Sequence, residues 1–273
     1  MKLFLSFIGI SFFTCNALFA ASTKCKDIYF DDTPPLILYT KLKPKTKELC
    51  YHEFAVMYSG LTKTPLWSAE HLTKEKVPKK ISRTTNYHAE DRLKENERAD
   101  ILDYIGSHYD RGVLASSGDF SDNDAYRESF SLANVVPQNH YNRVGIWAKI
   151  EEAVRAVAKK EENIYVITGT LYMDKRLQEI HGGIIVPTKL FKAVFVPATG
   201  QGAAYVVNNS SSKEYEVIGI AELEKISGIN IFPSMLASAK MNVMKLPDPN
   251  NLNDNNSQWK PISKDLGIDS VKP

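Results

Sequence analysis

Between residues 109 and 160 the hydrophobic period of the chain switches in an order that few local structures satisfy. YDRGV and the apolar, partly β-branched run SFSLANVVPQ read as two extended segments, split by the polar loop SSGDFSDND. From about Val144 to Lys160, the residues Trp147, Ile150, Val154 and Val157 then recur on one face at helical spacing. Strand, loop, strand and helix in this order predict a ββα unit.

The flanking sequence supplies a larger sheet. HEFAVMYSG alternates as a strand and Thr64-Pro65-Leu66-Trp67 opens another, while IYVITG, GGIIVPTKLFKAVFV and AAYVVNN follow the ββα unit as further strands punctuated by Gly and Pro. Short helices are expected around Ile220–Ile226 and in SMLASAKMNVM. The fold class expected is α+β: a central antiparallel sheet carrying the ββα unit, with flanking helices, as one domain over residues 54–246. Residues 21–53, with Pro34-Pro35 and KLKPKTKE, read as an N-terminal arm outside the core, and the charged stretch Lys74–Arg98 as loop with a little helix. The segment 247–273, rich in Asn, Asp and Pro, reads as a disordered tail.

The first residues, MKLFLSFIGISFFTCNALFAAS, join one lysine to an apolar run and small residues at Ala20 and Ala21, the pattern of a cleaved export signal over residues 1–20. The run is shorter than the about 20 apolar residues a membrane span needs, and no later segment approaches that length, so no membrane attachment is expected after cleavage. Periplasmic or secreted placement follows as the expectation. Beyond the signal two cysteines remain, Cys25 and Cys50, an even pair that suits a disulfide in an oxidising compartment. A formal charge of +2 leaves no global basic field, so capture of a polyanion must rest on locally clustered arginines.

YDRGVLASSGDF, FSLANVVPQ and the following helix together resemble the DNA/RNA non-specific endonucleases, the ββα-metal or His-Me-finger nucleases. The resemblance runs from about Phe54 to Met244 and implies a phosphodiester hydrolase of DNA or RNA dependent on a divalent cation, Mg²⁺. Such hydrolysis needs a base for water, positive charge for the phosphorane and help for the leaving oxygen. Asp110, Arg111 and Gly112 match the family motif, and the resemblance makes Arg111 a phosphate-facing guanidinium. Arg83 resembles its upstream arginine. Asn134 takes the place of a buried asparagine that braces the finger, and Trp147 sets the register of the helix. Glu151, four residues on, matches the glutamate that orders metal-bound water, and Arg155 a substrate-facing arginine.

Two positions depart from the pattern. Val113 stands where the family has its catalytic histidine, and a valine accepts no proton at any pH. Counting to Trp147 puts Arg143 at the metal-ligand asparagine, and a guanidinium has five donors and no acceptor. Asn142 serves as the metal ligand only if the turn shifts by one residue. The expectation is an exported nucleic-acid-binding scaffold with impaired or lost hydrolysis, using Arg83, Arg111, Arg143 and Arg155 on phosphates. One alternative is an active Mg²⁺-dependent nuclease with His108 or His140 as substitute base. Another is a retired cleft that binds a protein partner.

Overall fold

The computed structural model describes residues 24–77 and 85–252. Strands β1 (Thr46–Cys50), β2 (Phe54–Ser59) and β3 (Thr64–Thr73) precede the hairpin pair β4 (Asp110–Val113) and β5 (Val135–Gln138), with helix α1 (Asn123–Glu128) between them. Helix α2 (Ala148–Glu161), strands β6 (Asn163–Leu171), β7 (Lys189–Val196), β8 (Gln201–Asn208) and β9 (Glu216–Ile218), and helix α3 (Ile220–Ser227) follow. Seven strands form one antiparallel sheet in the order β9-β8-β7-β6-β3-β2-β1, and β4 and β5 form a separate two-stranded ladder. The architecture is the expected α+β fold with a ββα unit.

Alternation along the central strands sorts side chains onto two faces. Trp67, Ala69, Ile167, Phe191, Ala193 and Phe195 pack on one side against α3 and the arm residues Cys25, Ile28 and Tyr29. Leu72, Val166, Leu190, Val194 and Tyr205 pack on the other against Trp147, Ile150, Val154 and Val157 of the ββα unit. Each fully buried large side chain contributes roughly 1.5–3 kcal/mol, so the two layers are what hold the unit to the sheet. Gly169 permits one close approach: a Cβ there would lie 2.4 Å from the Phe191 ring.

Three sequence expectations shift. The arm is not outside the core: Thr46–Cys50 is the edge strand, Leu36–Ile37 pairs with Ile229–Asn230, and Cys25 is disulfide-bonded to Cys50 (S–S 2.01 Å). The tail does not begin at Pro247, because Tyr205 donates to the Pro247 carbonyl (2.6 Å) and Tyr215 to Asp248 (2.9 Å); residues 253–273, and the signal region, lie outside the described residues. The helix starts at Ala148 rather than Val144, since Gly145 (φ −103°, ψ −110°) interrupts the turn before it. Among the described residues no helix is long and apolar enough to cross a membrane.

Candidate functional site

β4 and β5 pair Asp110 with Gln138, Gly112 with Val136 and Val113 with Val135, so Asp110 and Arg111 emerge at the end of the hairpin beside the turn that leads to α2. Gly112 is required there: a Cβ would fall 2.1 Å from Gln138 Oε1. Asn139 caps the turn, its Oδ1 accepting from the Tyr141 and Asn142 amides, and this brings His140 and Arg143 back over the strand. Asp110 Oδ2 accepts from Arg143 Nε at 2.7 Å and lies 2.8 Å from His140 Nδ1. Burial alone would raise this carboxyl, but the bonds from Arg143 and His140 hold it below the usual range.

A pocket of about 380 Å³ opens here, walled by Tyr87, Tyr104, Tyr109, Asp110, Arg111 and Arg143, with Ile101 and Ile105 at its edge. The Arg111 guanidinium lies 4.5 Å over the Tyr87 ring, and the Tyr87 hydroxyl donates to the Arg111 carbonyl at 2.9 Å. Among the described residues the Arg111 guanidinium makes no hydrogen bond. Val113 is half-buried and packs against an apolar cluster that includes Tyr104, Leu132, Ile180 and Ile184. Arg83 lies outside the described residues.

Glu151 and Arg155 do not join the pocket. Arg155 is turned inward, donating to Asp119 at 2.9 Å, and its side chain is only 22% exposed. That pair belongs to a charge cluster between sheet and helix, with Lys192, Glu70 and Glu151. Lys192 Nζ donates to Thr168 Oγ1 at 2.7 Å, sits 3.7 Å from Glu70, and lies 5.9 Å from the Trp147 ring centroid. Burial pushes Glu70 well above the usual carboxylate range, against the pull of Lys192 and with further repulsion from Asp119. Burial likewise raises Glu151, opposed by Lys192. Asn134, fully buried in a 3-10 turn rather than in the strand, uses its whole amide: Oδ1 accepts from Ser68 and the Ala115 amide, and Nδ2 donates to the Ala115 and Ser129 carbonyls.

The metal assignment to Asn142 does not hold. Asn142 is fully buried, its Oδ1 accepts from Gln138 (2.8 Å) and its Nδ2 donates to the Asn208 carbonyl (3.0 Å), so the amide ties the turn to β8 and does not face the pocket. Arg143 brings a positive charge to the position the resemblance gives a ligand, and Asp110, the one carboxylate among the described residues of the wall, is already bonded to cationic or donor partners. These residues do not fit a Mg²⁺ ion. His108 sits ahead of the strand at φ 65°, exposed and outside the pocket wall, so no strand-face offset applies to it. Sequence reasoning missed Lys192, Glu70 and Asp119. The signal was present for the first two, each a lone charge on the inward phase of an apolar strand.

The sequence matches the family model described as DNA/RNA non-specific endonuclease over residues 35–238. It is 31% identical over 229 residues to the mitochondrial nuclease EXOG of Xenopus laevis, covering 75% of this chain and 63% of that one. To the mitochondrial endonuclease G of Bos taurus it is 28% identical over 206 residues, covering 68% and 69%, and to the mitochondrial nuclease of Saccharomyces cerevisiae 30% over 225, covering 71% and 68%. This chain therefore spans less than two thirds of the Xenopus relative. The fold is shared with the endonuclease in the crystal structure titled as an EndoG/EndoGI complex and mechanism of EndoG inhibition, at TM-score 0.65 and 24% identity over 70% of this chain and 88% of that one. A family match across most of the described sequence, on a fold in which hairpin and helix form the ββα unit, assigns the chain to the DNA/RNA non-specific endonuclease family.

Proposed function

We propose that this chain is an exported, nucleic-acid-binding member of the family that has lost, or largely lost, phosphodiester hydrolysis. One observation carries the reading: Arg143, at the position of the metal ligand, is ion-paired to Asp110 in the wall of the same pocket as Arg111. A guanidinium in place of a cation supplies fixed positive charge for a phosphate but activates no water. Val113 compounds the loss, because an absent general base typically removes about 10²- to 10⁴-fold in rate. Arg111 and Arg143 are the phosphate contacts; Arg155, paired with Asp119, is a structural residue here. Export is supported by the N-terminal apolar leader and by the Cys25–Cys50 disulfide.

A second reading rests on the 2.8 Å contact between His140 and Asp110, which orients an imidazole as a dyad base would be oriented. A plasmid-nicking assay with Mg²⁺ or Mn²⁺ separates the two, run on the native chain, Val113→His, and Val113→His with Arg143→Asn. The expected result is cleavage by the double variant alone. Robust EDTA-sensitive cleavage by the native chain, abolished in His140→Ala, overturns the proposal in favour of the dyad. A protein partner for the cleft, the role suggested by the inhibitor named with the structural relative, is favoured instead if binding to DNA and RNA shows no salt dependence.

A further inference from the structure

Resting on that reading of the pocket, we infer that its ligand is a single strand whose unstacked bases enter beside the arginines, and not a duplex. The phosphate-binding charge is small. Arg111 and Arg143 share the wall with Asp110, and the whole chain carries a formal charge of only +2. Electrostatics of this size engages one or two phosphates and leaves most of any affinity to be found elsewhere.

The rest of the wall is aromatic and aliphatic. Tyr87 and Tyr109, both partly exposed, line it over the buried Tyr104, and Ile105 and Ile101 at its edge are 63% and 37% exposed. A duplex presents sugar and phosphate to such a surface and keeps its bases stacked within, so these rings and branched chains would stay uncovered. A single strand has free π-faces for them, and stacking of that kind needs no particular sequence.

Tyr109 sets the spacing. Tyr109 also lines a second hollow of about 480 Å³, with Ser107, Glu179, His181 and Gly182, and its hydroxyl donates to Gln178 Oε1 at 2.7 Å, so one anchored side chain is common to both hollows. One base in each hollow beside Tyr109 leaves the arginine end of the first hollow to a phosphate. Glu179 keeps phosphate out of the second hollow and accepts from the exocyclic amino group of a base. The site thus has a polarity: anion at the arginine end, base edges at the Glu179 end.

Fluorescence anisotropy on the full mature chain tests this with three labelled probes of equal length: a single-stranded oligodeoxynucleotide, its blunt duplex, and a strand of abasic residues with every phosphate retained. The intact strand is expected to bind more tightly than the duplex or the abasic strand by about 5- to 140-fold, the range of one stacked base. Tyr109→Ala is expected to erase that preference and Tyr109→Phe to keep it. Equal binding of all three probes with a normal salt slope overturns the inference while leaving phosphate binding intact; no salt-dependent binding to any probe overturns the underlying reading as well. If Tyr109→Ala does not fold, the abasic probe, which needs no variant, still decides.

Discussion

Asp110 is where the sequence motif and the three-dimensional site part company. In the sequence it is the first letter of Asp-Arg-Gly; in the structure it is the shared acceptor that holds Arg143 and His140 over the hairpin. Replacing it with asparagine keeps an oxygen for Arg143 while removing one negative charge from the wall that Arg111 and Arg143 share. Asp110→Asn is expected to raise affinity for a single strand severalfold at low salt and to steepen the log K against log salt plot by about 0.7, the increment of one phosphate contact. Anisotropy titrations across a salt series measure both; a fall in affinity would show that the charge of Asp110, and not its shape, holds Arg143 in place. Val113 and Arg143 are legible in the sequence itself as departures from the motif. That Arg143 would find Asp110 was not, because it depends on the capped turn at Asn139 and on hairpin register, which set a distance no local pattern encodes.

Between sheet and helix the same limitation concerns charge. The residues on the α2 side of β3 and β7 alternate correctly, yet Glu70 and Lys192 occupy inward positions among Leu72, Leu190 and Val194. Three carboxyl groups, Glu70, Asp119 and Glu151, face Lys192 and Arg155, and burial pushes the most enclosed of them, Glu70, toward its neutral form. Glutamine is the isostere of a neutral glutamic acid, so Glu70→Gln is expected to change the unfolding free energy by less than about 1 kcal/mol at neutral pH. Lys192→Ala strands the remaining carboxylates and is expected to cost about 3–5 kcal/mol. Urea denaturation of the two variants tests the pair of outcomes; a larger loss in Glu70→Gln than in Lys192→Ala refutes the protonation assignment. The helix itself was legible from Trp147, Ile150, Val154 and Val157, whereas its start was not, because Gly145 continues the apolar spacing while leaving helical geometry.

For the molecule as a whole, the arm covers the α3 face of the sheet at its start and reaches the ββα unit at its end, through Tyr51. Its mixed composition hid this, since Cys25, Ile28 and Tyr29 are too few and too widely spaced to signal burial. The Cys25–Cys50 bridge closes a 25-residue separation, for which chain entropy predicts about 3.5 kcal/mol of stabilisation; Cys25→Ser with Cys50→Ser is expected to lose about that much in chemical denaturation. A second tie is ionic. Glu90 accepts from Tyr51 (2.5 Å), Ser131 (3.2 Å) and Arg92 (2.7 Å), and Arg92 donates onward to the Cys50 carbonyl (2.8 Å), so one carboxylate links the arm, β1 and the start of the second hairpin segment. Burial would raise Glu90, but the Arg92 and Tyr51 bonds outweigh it and bring its pKa down to about 2. A carboxyl with a folded pKa below its unfolded one stabilises the fold above the unfolded value, and that stabilisation is lost as pH falls through the folded value. The contribution, on the order of 2–3 kcal/mol after allowance for the exposed side of Arg92, is therefore complete at neutral pH and fades from about pH 5 to about pH 2. Glu90→Gln lacks it at every pH. Unfolding free energies of the two proteins, measured over that range, are expected to differ most at neutral pH and to converge in acid; a constant difference would mean that Glu90 holds the arm by packing and not by charge.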